Sequence, residues 1–307
     1  MNIPQKLRLL MQITGLTQTK LAQELGVSFV SLNRWLNNKA VPRAGMQKRI
    51  DALCLKYAEI KDIPDKPLDA KMAILWLKKK QNKNLLNMIL KYPDIHDQFV
   101  LVLTYTSNTI EGSTLTKEET AAVLFDNVTL PNRTLVEQME AKNHQAALRF
   151  LFKYLQNNRK INEGLILKLH SILMNGIRDD AGIYRSHAVR IVGANVPTAN
   201  YLKVPTLMKK FVNEACRSKK KTMEYIAKTH AQFEQIHPFS DGNGRIGRLI
   251  MHAMLLCAGL PPAVIDLKKK RRYYAALQKA QLESDIPPLE EFLCDSVLEG
   301  FKILERS

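Results

Sequence analysis

Residues 237–248 read HPFSDGNGRIGR, and this short stretch holds four kinds of reactive or binding group. His237 carries an imidazole whose ordinary pKa lies near neutrality, which suits a general base. Asp241 offers the hard oxygen ligands that Mg²⁺ takes. Gly242, Asn243 and Gly244 allow backbone N–H groups to come close to an anion, and an anion is favoured where such a stretch opens a helix. Arg245 and Arg248 are three apart, so on a helix their guanidinium groups share a face and can both hold a polyphosphate. Together these features predict a nucleotide-phosphate site with its own general base.

Such a site needs a helix on each side of the loop. Apolar periodicity predicts them over residues 223–235 and 247–260. GxxxxGK[ST], HRD and DFG are all absent, which disfavours a P-loop ATPase and a protein kinase. Residues 190–203, RIVGANVPTANYLK, break the helical pattern with Ile191 and Val192 as β-formers and with Gly193 and Pro197 as punctuation, so a short β-hairpin is expected. His170, His187, His230 and His252 have no such company and read as structural or surface residues.

The stretch at 237–248 resembles the signature of the Fic (Fido) family, HPFxDGNGRxGR. Gly182-x-Tyr184-Arg185, then Val189-Arg190-Ile191-x-Gly193 and Pro197, is similar to the segment leading into that family's flap. Tyr273-Tyr274-x-x-Leu277, followed by Asp285, Pro288, Leu289 and Phe292, is similar to its closing helices. The resemblance covers residues 110–300 and implies a helical domain that transfers AMP from ATP to a Ser, Thr or Tyr hydroxyl of a protein. It implies His237 as base and Asp241 as the Mg²⁺ ligand. It also implies a nucleotide-binding set of Asp241, Gly242, Asn243, Gly244, Arg245, Ile246, Gly247, Arg248 and Tyr274, with flap residues Val192 and Gly193. Gln281 stands where some relatives complete the adenine pocket with Asn. The flap would hold the target backbone by strand addition, which leaves target identity unread.

Upstream, Ser107-Asn108-Thr109-Ile110-Glu111-Gly112 fits [ST]xxxE[GN] and resembles the inhibitory helix of Fic proteins restrained from their N-terminal side. An ion pair from Glu111 to Arg248, with Ser107 hydrogen-bonding nearby, would occupy the guanidinium that should orient the γ-phosphate. In some such relatives the same glutamate positions water for removal of AMP, so both directions of the chemistry are open.

Residues 1–60 carry nine Lys or Arg against three acids, and their apolar positions recur at helical spacing in short blocks. Thr17 and Ser28 are placed to cap the second and third helices, with Gly26 in the bend between. Residues 18–35 resemble the helix-turn-helix of the phage-repressor-like family. That resemblance points Ser28, Phe29, Ser31 and Arg34 at a major groove, with Asn38, Lys39 and Arg43 near phosphate. A symmetric DNA site would require a homodimer.

The whole chain has 307 residues and a net charge of +17, with 46% hydrophobic and 24% charged residues, which is globular composition with an attraction for polyanions. The start has no apolar signal core, so the expected location is cytoplasmic, and export as an effector would need a route without a cleaved signal peptide. No membrane partner is expected, and Cys54, Cys216, Cys257 and Cys294 have no CxxC spacing. The fold class expected is mainly α: a helix-turn-helix bundle over 1–59, a Pro-containing linker over 60–69, a helical region over 70–125 with the inhibitory motif, and a catalytic domain over 126–307 bearing the hairpin flap. The competing reading is a non-enzymatic transcription regulator that senses nucleotide through an inactive Fic fold. The intact His237 weighs against it, because a sensor needs no general base.

Overall fold

The computed structural model describes residues 1–60, 62–126, 128–191, 196–217 and 222–305. The chain divides into two compact units, Met1–Lys83 and Asn84–Ser307.

The first unit contains α1 (Ile3–Thr14), α2 (Gln18–Leu25), α3 (Phe29–Leu36), α4 (Ala44–Ala58) and α5 (Pro67–Gln81). Contacts therefore group α5 with the N-terminal unit, whereas the sequence reading began the region that carries Glu111 at residue 70. Local chemistry sets most of the helix ends. Asn2 and Gln5 form a capping box on α1, the Thr17 side chain accepts the Lys20 N–H, and the Ser28 side chain accepts the Ser31 N–H. Gly26 ends α2 in the left-handed region at φ 67°, where a residue with a Cβ is strained. Leu7, Leu10, Leu21, Leu25, Leu32 and Ile50 are fully buried in one core. Polar ties cross it: Lys6 pairs with Asp51 at 2.6 Å, and Arg8 donates to the Leu36 carbonyl at 3.2 Å.

The second unit contains α6 (Leu85–Lys91), α7 (Pro93–Glu111), α8 (Lys117–Ala121), α9 (Leu135–Asn157), α10 (Glu163–Leu173), α11 (Val204–Arg217), α12 (Met223–Ile236), α13 (Asn243–Cys257), α14 (Lys270–Leu282) and α15 (Pro287–Leu304). Its centre is α13, against which α7, α9, α10 and α12 all pack. Residues 245–256 of α13 are buried without exception, as expected of a helix surrounded by others. That burial includes Arg245, Arg248 and His252, so the charges of this helix must find partners inside the fold.

Among the described residues there is no strand, so the hairpin expected over 190–203 is not seen, and Val192 and Gly193 lie outside those residues. A lone hairpin gains little without further strands to extend it. Side chains tie the two limbs instead. Thr198 donates to the Val189 carbonyl at 2.8 Å, Arg185 donates to the Ala199 carbonyl at 2.5 Å, and a 3₁₀ turn at Tyr201–Lys203 then leads into α11. No helix among the described residues is long and apolar enough to cross a membrane.

Candidate active site

The site begins where α12 ends. His237 follows Ile236 in the left-handed region at φ 51°, and its N–H closes the helix on the Phe233 carbonyl. The ring Nδ1 lies 3.1 Å from the Glu234 carbonyl. A carbonyl can only accept, so Nδ1 holds the proton and Nε2 keeps its lone pair. Burial lowers the His237 pKa from its ordinary value, against the pull of that hydrogen bond, so the ring is neutral at pH 7.

Two distant segments hold the loop that follows. Phe239 is fully buried and stacks on His170 with centroids 3.7 Å apart and planes within 5°. His170 accepts the Gly182 N–H on Nδ1 at 2.8 Å, which leaves Nε2 to donate to the Asp241 carbonyl at 3.1 Å. Desolvation brings the His170 pKa down to about 4, so this neutral tautomer persists across the physiological range. Arg185 is buried and donates to the His237 carbonyl at 2.7 Å. Asn243 braces the same turn with two bonds of 2.8 Å, one to the Phe239 N–H and one to its carbonyl.

Helix α13 then starts at Asn243, four residues earlier than its apolar periodicity predicts, because Gly242 caps it at φ 76° without a side-chain bond. Its first-turn N–H groups have no partner within the helix and carry the positive end of the dipole. The Glu111 carboxylate lies over this end: a Cβ placed on Gly244 would run into it. The same carboxylate is 2.6 Å from Arg248 Nη2. Arg248 also donates from Nε to the Ser107 hydroxyl at 2.9 Å and from Nη2 to the Ser107 carbonyl at 3.0 Å. Burial is the largest single influence and disfavours the Arg248 charge, but Glu111, Tyr273 and Glu234 together outweigh it and the pKa is raised. Arg245 turns elsewhere. It pairs with Glu140 of α9 at 2.6 Å and stands 3.6 Å from Asp241.

A cavity of about 350 Å³ opens between these elements, within the size range of small-molecule sites. It brings together His237, Asp241, Gly242, Asn243, Gly244, Arg248 and Tyr274 from the sequence set, with Glu111 on its wall. Arg245, Ile246, Gly247 and Gln281 do not line it. Ile246 belongs to the core, Gly247 faces the Glu234 carboxyl, and Gln281 donates to the Ala231 carbonyl at 3.4 Å. Ser107 braces Arg248 from α7. Sequence reasoning gave Arg190 only as part of the segment leading into the flap and passed over Glu234, which also lines the cavity, and Glu140, which holds Arg245. Glu234 had a weak signal, a carboxyl one helical turn before His237, whereas nothing local marks Glu140, which is 105 positions from its partner.

In the first unit, Ser28, Phe29 and Arg34 are exposed and Ser31 is half-buried. The Ser28 and Ser31 hydroxyls are 2.9 Å apart. Val30, which the sequence reading did not single out, is more exposed than Phe29, at 64% against 47%.

Comparison with known proteins bears on both units. Residues 160–255 match the Fic/DOC family model, which spans the His170 brace, the loop and most of α13. This chain carries a Fic domain. Residues 7–51 match a helix-turn-helix model, so a helix-turn-helix domain precedes the Fic domain. The Fic region is similar to "Protein adenylyltransferase Fic" of Nematostella vectensis, 33% identical over 198 residues, covering 62% of this chain and 45% of that protein. It is also similar to the protein of that name from Drosophila willistoni, 31% identical over 195 residues, covering 62% and 39%. The chain thus spans about two fifths of the length of the curated relatives it matches. Among solved structures, a Fic-domain-containing signaling protein from Bacteroides thetaiotaomicron superposes with a TM-score of 0.67 at 27% identity, covering 76% of this chain and 95% of that one. A Fic family protein from Desulfovibrio desulfuricans gives 0.65 at 27% identity, covering 78% and 73%.

Proposed function

We propose that the Fic domain is a protein adenylyltransferase, moving AMP from ATP to a hydroxyl side chain of a target protein, and that Glu111 restrains it. The observation that carries this reading is one cavity holding a histidine with a free Nε2, an open helix N-terminus and Arg248, already occupied by an acid from α7.

The chemistry follows from the groups in place. His237 Nε2 takes the proton of the target hydroxyl, whose oxygen attacks the α-phosphorus as pyrophosphate leaves. The α13 amides and Arg248 hold the outer phosphates and the charge that grows on the leaving group. Asp241 is a half-exposed carboxylate on the cavity wall, and no group of three metal-ligating side chains occurs among the described residues. One such carboxylate fits a Mg²⁺ that arrives with the phosphates better than a resident ion, and the ion would offset phosphate charge there.

The Glu111 carboxylate covers the end of α13 and takes a bidentate-capable guanidinium, which are the two anchors that outer phosphates need. ATP bound beside it lacks those anchors and sits unproductively. The same carboxylate shares the cavity with His237, which favours a second activity, with Glu111 orienting water for removal of AMP.

We further propose that the N-terminal unit binds DNA through α3, using Ser28, Phe29, Ser31 and Arg34. Support comes from the exposed Phe29 and Arg34 and from the exposed cations Lys20, Lys39, Arg43 and Lys48 on the same small bundle. Phosphate contacts of this kind weaken steeply with salt, which separates DNA binding from protein docking. The cytoplasm is the compartment that this reading implies.

The test is mass spectrometry of wild type, Glu111→Gly and His237→Ala after incubation with Mg²⁺ and ATP, alone and in lysate. Glu111→Gly should raise the AMP adduct and His237→Ala should abolish it. No adduct in the Glu111→Gly protein would defeat the transferase reading.

A further inference from the structure

Glu234 is a buried carboxyl that the mechanism above does not use. It is 6% exposed, its Oε1 has no hydrogen-bond partner, and the residue forms part of the cavity wall. A carboxyl buried in this way is costly unless something completes its hydrogen bonding. Its place is fixed from two sides. Gly247 on α13 leaves the room it occupies, since a Cβ there would strike Oε1. Its own backbone carbonyl accepts from His237 Nδ1 at 3.1 Å, which places Glu234 one turn before the base at the end of α12.

The charged and titratable groups around Glu234 are Arg248 on α13, Glu111 on α7, Tyr273 and Tyr274 on α14, and His230 and His237 on its own helix. From α11, Glu214 faces Gln232, and from α15, Asp295 and Glu291 face Arg272. Desolvation raises the Glu234 pKa to about 8, with Arg248 opposing and Glu111 reinforcing the rise. The carboxyl is therefore an O–H donor at pH 7 and a negative charge above pH 8. Burial pushes Tyr273 and Tyr274 up and His230 and His237 down, so those groups leave the window between pH 7 and 9.

We propose that Glu234 is a nucleotide-binding residue, donating its carboxyl proton to an acceptor on the bound nucleotide between Arg248 and Tyr274. The inference rests on the nucleotide reading of the cavity and adds a consequence that reading lacks. An ionised carboxylate at this position repels a polyphosphate, so affinity for ATP falls as Glu234 loses its proton. Glutamine keeps a donor of the same shape and never ionises, whereas alanine removes the donor.

The experiment is calorimetric titration of ATP into the full-length chain between pH 6.5 and 9.5. It uses a Glu111→Gly parent and the same protein with Glu234→Gln or Glu234→Ala. Removing Glu111 also removes one influence that raises the Glu234 pKa, so the limb in the parent lies lower than in the unaltered chain. Above that limb the parent should lose affinity, approaching about tenfold per pH unit. The Gln variant should stay flat there, and the Ala variant should bind roughly fivefold more weakly at pH 6.5, on the acid side of that limb, as for one lost hydrogen bond. Equal pH dependence in parent and Gln variant overturns the proposal, as does an Ala variant that binds like the parent. A parent that binds no ATP at any pH defeats the nucleotide reading itself, and Glu234's role with it. Thermal unfolding confirms that each variant is folded, and if the Ala protein is not, the parent and Gln curves decide alone.

Discussion

The two sides of α13 hold the same kind of contact to different ends. On the α9 side, Arg245 meets Glu140 at 2.6 Å and stays out of the cavity. On the α7 side, Arg248 meets Glu111 at the same distance, but within the cavity and beside Gly244. Both arginine side chains are 3% exposed. A buried ion pair is costly to break from one side, so each pair ties its helix to α13. What separates them is what else competes for the cation. Arg245 faces only protein, whereas on the proposed reading the phosphates of ATP compete with Glu111 for Arg248.

Exchanging the arginines gives the sharpest test of that difference. Arg248→Lys should lower AMP transfer by about a hundredfold or more in the Glu111→Gly background, because an ammonium cannot reproduce the forked contact. Arg245→Lys should leave transfer within a few-fold, measured by the rate of adduct formation. Equal losses would show that both guanidinium groups serve the phosphates, as their spacing first indicated.

A middle-sized effect separates the two glutamates. Glu140→Ala should leave buried Arg245 with only the longer contact to Asp241 and destabilise the fold by about 3 kcal/mol, read from denaturant unfolding, with no gain in transfer. Glu111→Gly, on the half-exposed member of its pair, should cost less stability and raise transfer. A Glu140→Ala protein with raised transfer would show that both sides restrain the enzyme.

The smallest effect is in pH. The His237 pKa is lowered, so its charged form gains population only below the ordinary value of 6.5. On the proposed reading the neutral imidazole is the base, so activity should be lost as pH falls through the folded pKa. Transfer by the Glu111→Gly protein should therefore show an acid limb centred below pH 6.5. A limb centred above 6.5 would show that burial does not lower the His237 pKa in the folded protein.

Much of the molecule was legible before any coordinates. Thr17 and Ser28 cap the helices they were expected to cap, because an N-cap is settled within three residues. The expected hairpin is not seen among the described residues, which leave out 192–195. Its β-formers satisfied a local rule, but the second unit has no strand among its described residues for a hairpin to join, and Thr198 and Arg185 secure the limbs by other means. Helix α13 starting at Asn243 was a small miss, since apolar periodicity cannot register a helix end held by an asparagine and a left-handed glycine.

Composition, caps and periodicity determined that this protein is mainly helical, with a basic N-terminal run of short helices, because those signals act over a few residues. Residue types also named His237, Asp241 and Arg248, since their chemistry is intrinsic. Tertiary structure alone decided which arginine meets the cavity, that Glu111 covers the end of α13, and that Glu234 is buried in the cavity wall. Those outcomes depend on burial and on partners a hundred or more positions away, and no local pattern encodes distance across a packed core.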